Sequence, residues 1–278
     1  MRFVKHFWLG ILSYKKAIAF IWEHKLYMYI AIPAILMLGI YQLGYWIKSH
    51  HFRPELHTFN DIVWYTLWLL IEISIAVLLM KFSKYLVVVL LSPLLSFLST
   101  KTDKIITGNV YQFSISQLVN DVKRSSKIVV RNFMWEYFFF LILFVVSFLG
   151  WDDAESSPVF YLTFVIGFYY YGFSFMDYTN ERLRIDIDES ILFVRKHKGL
   201  ATALGAGYSL LILLPVDLSI LFSVFNMNSP VFSWSAFLLQ LLLWMLASIA
   251  PILTIVASTI AVHEVIGLSK EEIDSNSN

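Results

Sequence analysis

Residues 26–47 read LYMYIAIPAILMLGIYQLGYWI, a run without a single charged side chain. At a rise of about 1.5 Å per residue, a helix of this length crosses the roughly 30 Å hydrocarbon core of a bilayer. The run therefore predicts a helix in lipid, and the rest of the chain is read outward from it. Five more apolar stretches follow. The next begins at Ile62 and stays helix-like past Lys81 and Lys84 to about Thr107, long enough to project from the membrane. Phe133–Leu149 and Val159–Met176 form a pair around the acidic loop Trp151-Asp152-Asp153-Ala154-Glu155. Ala201–Phe225 and Phe232–Val262 form another, around Asn226-Met227-Asn228-Ser229-Pro230. Some members are marginal in length, and Pro215 and Pro251 interrupt two of them. Short or broken segments of this kind suit hairpins that enter the bilayer only part way.

Composition agrees. Apolar residues make up 58% of the chain and charged residues 15%, where a soluble domain carries about 25% charged; mean hydropathy is +0.69. A net charge of +1 and a pI near 7.9 argue against a nucleic-acid partner. The absence of cysteine excludes disulfides, thiolate catalysis and Cys-type zinc sites, and no cofactor is expected. Met1-Arg2 opens an amphipathic stretch with no Ala-x-Ala site after a short apolar core, so a retained N-terminus is expected.

The cations are distributed one-sidedly. Of the 21 lysines and arginines, all but Lys48 and Arg53 fall before the first stretch, in the later part of the second or after it, after the fourth, or in the tail. By the positive-inside rule both termini are cytoplasmic. The polar-flanked segments carry helical periodicity too. Phe3, Phe7, Ile11, Tyr14, Ile18 and Ile21 recur at three- and four-residue spacing opposite Lys5 and Lys16, as in a helix lying among lipid headgroups. Leu183, Ile187, Ile191 and Val194 repeat the pattern, with Arg182/Asp186 and Arg184/Asp188 four apart. Ser114 and Gln117 form a capping box that opens a third cytoplasmic helix towards Asn132. One helical membrane domain over 1–269 and a disordered tail over 270–278 are expected.

A collinear set of short motifs then carries a resemblance. Ser92-Pro93-Leu94-Leu95-Ser96-Phe97-Leu98-Ser99 leads to Thr107-Gly108, and Asp121-Val122-Lys123-Arg124 opens a basic helix running into a hydrophobic hairpin. Asp177-Tyr178, Arg195-Lys196-His197-Lys198, the small-residue span Gly199–Gly207, Ala250-Pro251 and Ala257-Ser258-Thr259-Ile260-Ala261 follow. From about Phe3 to Val265 the order and spacing resemble the bacterial CysZ sulfate permeases and the etoposide-induced-protein-like membrane family. The resemblance implies an all-α integral membrane protein with two long transmembrane helices, two partly penetrating helical hairpins and interfacial amphipathic helices. It also implies a bacterial inner-membrane location, assembly into homo-oligomers, and transport of a small inorganic anion such as sulfate. In that family an anion site is associated with a Gly-Leu-Asn-like element near the proline of the second long helix. Here Leu95-Ser96 stand where an Asn-Gly pair is expected, Thr100 where a glutamate is usual, and Tyr27-Met28 where an arginine pair would fall.

Candidate chemistry is sparse. Ser92, Ser96, Ser99 and Thr100 place hydroxyls beside Pro93, with Lys101 and Lys104 after them. Hydroxyls and freed backbone amides at an interrupted helix bind an oxyanion; small hydroxyl residues equally serve close helix packing. Glu72 lies inside the second apolar stretch, where a carboxylate either takes part in transport or is protonated or paired with a donor such as Gln42. Asp217, just after Pro215, reads as an interface or vestibule residue. Asp177 reads as a structural cap or turn-fixing carboxylate at a membrane exit. His263-Glu264 is half of a metal motif without a second histidine at the right spacing and reads as a solvated pair. His50, His51 and His57 have no diagnostic metal spacing. Gly199, Ala203 and Gly207 read as a close-packing ladder, within or between subunits. Tryptophans near segment ends, Trp22, Trp64, Trp135 and Trp234 among them, read as interface anchors. No Gly-x-x-x-x-Gly-Lys-Ser/Thr loop, nucleophile elbow or paired metal-ligand motif occurs. That leaves an anion permease or a membrane scaffold touching lipids and proteins, ahead of an enzyme.

Overall fold

The computed structural model describes residues 2–49, 58, 60–68, 87–108, 115–153, 156–226 and 233–276. Among these residues every regular element is helical. In chain order they are α1 (Arg2–Glu23), a 3-10 turn at Leu26–Ile30, α2 (Ala31–Ser49), α3 (60–68), α4 (Ser92–Thr107) and α5 (Ile115–Gly150). α6 (Leu162–Arg182), α7 (Ile187–Lys196), α8 (Lys198–Ile212), the short α9 (Leu218–Phe222), a 3-10 turn at Ser223–Asn226 and α10 (Trp234–Asn276) follow, and residues 87–90 before α4 are also helical.

The all-α membrane fold stands. Val119–Gly150 in α5 and Trp234–Gly267 in α10 are each long and apolar enough to cross a bilayer. Both come from the stretches expected to form hairpins. The first stretch does not start as a helix at Leu26. Lys25 adopts a left-handed conformation (φ 56°), Leu26–Ile30 form the 3-10 turn, and α2 begins at Ala31. Across this break α1 and the following segment bend by 101°, so an α2 that stands across the bilayer leaves α1 near its plane. Residues 69–86 of the second stretch, with Glu72, Lys81 and Lys84, lie outside the described residues.

Three further boundaries differ. The basic helix before Asn132 does not stop there but runs into Phe133–Leu149 as one 36-residue α5; the Ser114/Gln117 box lies outside the described residues. Pro215 does end α8, whereas Pro251 is carried inside α10 without a break. A proline in a buried membrane helix is accommodated because neighbouring helices and hydroxyl side chains satisfy the freed backbone groups. α10 also continues through the segment expected as a free tail, to Asn276.

Small residues decide how the bundle closes. α6 on α8 is its most extensive pairing, followed by α1 on α8. A Cβ on Gly172 would overlap the Ala201 carbonyl, and one on Gly205 would overlap that of Phe168, so α6 and α8 touch backbone to backbone. The ladder Gly199, Ala203, Gly207 faces α1 within the same chain, meeting the Phe3 carbonyl, Gly10 and the Tyr14 ring in turn. In lipid, association rests on such close approach rather than on apolarity. That explains why α1 packs through Gly10, Ser13, Ala17 and Ile21 and leaves Phe3, Ile11 and Ile18 exposed.

Candidate functional site

α4 brings three of the predicted hydroxyls to one face. Ser92, Ser96 and Ser99, spaced four and three apart, share the side of the helix turned to the core, and all three are buried. Ser99 lies 3.4 Å from the Thr259 hydroxyl of α10, which Thr179 of α6 also approaches at 3.2 Å. Ser92 and Ser125 face the enclosed hydroxyl of Tyr178. Thr100 and Lys101 do not join the group. Thr100 donates to the Ser96 carbonyl at 2.9 Å. Lys101 donates to the Tyr29 hydroxyl at 3.3 Å, with its ammonium 5.0 Å from the centre of that ring.

Ser96 leads to a buried ionic cluster. Its hydroxyl donates to the Asp121 carboxylate at 2.5 Å and accepts from the Arg182 guanidinium at 2.7 Å. Arg182 and Asp121 themselves form an ion pair, with side chains only 3% and 6% exposed. Glu181 lies beside them, 3.9 Å from the Arg182 guanidinium. Burial, together with the Asp121 charge, pushes the Glu181 carboxyl up to about 8. One helical turn earlier in α6, Asp177 takes a two-pronged bond from Arg124 of α5, at 2.9 and 3.1 Å. Arg124 also reaches the Ile185 carbonyl at 2.8 Å, and Ser190 of α7 donates to Asp177 at 2.7 Å. With Glu181 protonated the two arginines and two aspartates balance, as burial of charge in low dielectric demands.

Asp177 therefore caps no helix. It lies inside α6, which runs on to Arg182, and fixes the α6–α7 turn through Arg124 and Ser190. Arg182 pairs across the bundle with Asp121 rather than along a helix with Asp186, because α6 ends at Arg182 and the chain turns through Arg184 in a left-handed conformation (φ 59°) before α7. His263 and Glu264 are not a solvated pair. His263 lies 2.5 Å from the buried Asp103 of α4, and Glu264 is paired with Lys16 of α1. Asp217 is an exposed N-cap of α9, accepting from the Ser219 amide at 2.9 Å, while its own amide donates to Gln240 at 2.7 Å. Glu72 and the histidines at 50, 51 and 57 lie outside the described residues. Among the described residues no three His, Asp or Glu side chains stand close enough to hold a metal.

Asp121, Arg124 and Arg182 were not expected at a site: from the sequence, Asp121 and Arg124 open a basic helix, and Arg182 is a topology marker and a helix-pair partner of Asp186. Their partners are 53 to 61 residues away, beyond any periodicity. One local signal was available. Asp177, Glu181 and Arg182 crowd the end of an apolar run, a place where ionisable groups need partners.

Fold and site together define a helical membrane protein whose polar core is an ion-paired, hydroxyl-lined cluster joining α4, α5 and α6. The family model for the sulfate transporter CysZ/etoposide-induced protein 2.4 matches residues 13–223, and the chain belongs to that family. No curated protein matches the chain.

Proposed function

We propose that the chain is a permease for a small inorganic anion, sulfate first among them. It works without ATP hydrolysis, as a homo-oligomer in the bacterial cytoplasmic membrane with both termini inside. One observation carries this reading. Arg182 is buried in the bundle with an adjacent hydroxyl, Ser96, and is paired with the carboxylate of Asp121, with Glu181 3.9 Å away. Guanidinium matches the oxygens of a tetrahedral oxyanion as it matches a carboxylate. An incoming dianion that displaces Asp121 from Arg182 meets the Ser96 hydroxyl as a further donor. Protonated Glu181 limits the negative charge opposing it. The missing phosphate-binding loop leaves passive or ion-coupled movement.

Labelled sulfate uptake into proteoliposomes tests the proposal. Wild type should exceed empty vesicles, Ser96→Ala should lower uptake, and Arg182→Lys, which keeps the charge but loses the fork, should lower it further. Wild-type uptake equal to that of empty vesicles ends the reading. A second reading, a non-transporting membrane scaffold, is favoured by the donors themselves: Ser96, Thr100 and Lys101 are all bonded within the chain. Stoichiometric sulfate binding in a calorimeter counts against the scaffold; crosslinked partner proteins with no ion flux support it.

A further inference from the structure

A second polar site lies away from the ionic cluster, in a cavity of about 600 Å³ that touches α1, α5, α6, α7 and α8. That is within the ~300–1,000 Å³ of pockets that enclose small organic molecules. Its two ends differ in chemistry. At one, Arg195 of α7 and Lys198 of α8 line the wall. Both are exposed, and among the described residues neither pairs with a carboxylate. At the other, Phe139, Val165 and Ile166 form an apolar wall. Val165 is also 48% exposed, so the cavity opens on the outer apolar surface of α6, where Tyr161, Leu162 and Phe164 are exposed as well. Tyr169 and Tyr170 stand in the lining too. The charged groups acting on them are Arg131 and Arg195, with Glu136 opposing at Tyr170 alone.

A free phosphate or sulfate would use the basic end and leave the apolar wall unfilled. An uncharged lipid chain would do the reverse. Only an amphiphile with an anionic head satisfies both ends, and the positive-inside count places Arg195 and Lys198 in the leaflet that carries such lipids. We propose that this cavity is a binding site for one anionic phospholipid of the cytoplasmic leaflet. Arg195 and Lys198 hold its phosphate, the tyrosine hydroxyls lie within the headgroup region, and the first acyl segment rests on Phe139, Val165 and Ile166. Bound there, the lipid bridges α5 to α8.

Native mass spectrometry of the full chain, released from detergent carrying equal phosphatidylglycerol and phosphatidylcholine, reads the site directly. One phosphatidylglycerol should be retained in preference. The surface double variant Arg195→Gln/Lys198→Gln should reduce that retention at least about tenfold, since it removes both cations that attract the anionic head. Lys123→Gln/Lys127→Gln, an equal charge change on exposed α5 positions, should leave it unchanged. Val165→Trp, which fills the apolar end and alters no charge, should also reduce it. The proposal is overturned by equal retention of the two lipids, by equal loss in both double variants, or by full displacement of phosphatidylglycerol with excess inorganic phosphate.

Discussion

α5 and α10 are both long enough and apolar enough to span a membrane, yet one lies at the edge of the bundle and the other at its centre. In its most apolar window α5 is 6% buried and α10 61%. Side-chain size separates them. Ala247, Ala250, Ala257, Ser258, Thr259 and Ala261 of α10 are fully buried or nearly so, and they let α1, α4, α6 and α8 approach. α5 carries Phe138, Phe144 and Phe148 outward, with Phe148 67% exposed. Lipid tails are as apolar as leucine, so hydrophobicity cannot choose which helix goes inside; close packing can. The apolar half of α5 is attached mainly along α6. Its polar half is attached through Asp121, Arg124 and Asn132, whose amide donates to Ser174 at 3.1 Å.

The largest expected effect comes from undoing that polar attachment. Arg182→Gln leaves Asp121 buried without its cation and should cost about 3–5 kcal/mol, read as a fall in the thermal unfolding midpoint in detergent. Adding Asp121→Asn should restore much of the loss, because a neutral pair carries no uncompensated charge. If the double variant is no better than the single, the ion pair is not what holds α5.

Next in size is the centre of the bundle. Ala257→Leu puts a branched side chain where α10 has no room and should cost about 1–3 kcal/mol. The same enlargement on α5, Val145→Leu at a half-exposed position, should be nearly silent. Equal effects at the two positions would erase the distinction between the helices.

Much of this arrangement was legible in the sequence because it is local. The helix class, the amphipathic α1, the stop at Pro215 and the tight packing of Gly199, Ala203 and Gly207 follow from spacing and residue size. Placement was not legible. Apolar runs of similar character read alike whether they face lipid or core, so the paired stretches did not reveal that α10 lies at the centre and α5 at the edge. Pro251 looked like an interruption because the hydroxyls and neighbouring helices that accommodate a proline belong to the bundle, not to the segment. At the site, the serines beside Pro93 were found because they cluster in sequence. The arginine that engages Ser96 arrives from another helix.

A smaller effect depends on pH. The Glu181 carboxyl is raised from its ordinary 4.5 to about 8 in the folded chain. Between those values the folded protein holds a proton that the unfolded chain has released, so its contribution to stability is full below about 4.5 and is lost as pH rises towards about 8. Glu181→Gln should flatten that decline and leave the variant more stable than wild type above pH 8. An unchanged slope of unfolding midpoint against pH across this window would show that the carboxyl does not titrate there. The effect involves the attached end of α5, since the Asp121 charge adds to burial in raising the Glu181 carboxyl; in the Asp121→Asn background it should shrink but persist, because burial, the larger cause, remains.

The smallest expected effect is at the free end of α5. Phe148→Leu keeps an apolar surface against lipid and should change stability by less than ~0.5 kcal/mol, as surface substitutions do. A larger loss would mean that something packs on this face, and the natural occupant is a second copy of the chain. The absence of cysteine makes that distinction clean. A Phe148→Cys variant, oxidised in the native membrane, yields a crosslinked dimer only if two such faces meet. A monomeric product together with a silent Phe148→Leu leaves α5 as the lipid-facing wall, and any oligomer must then form through a different surface.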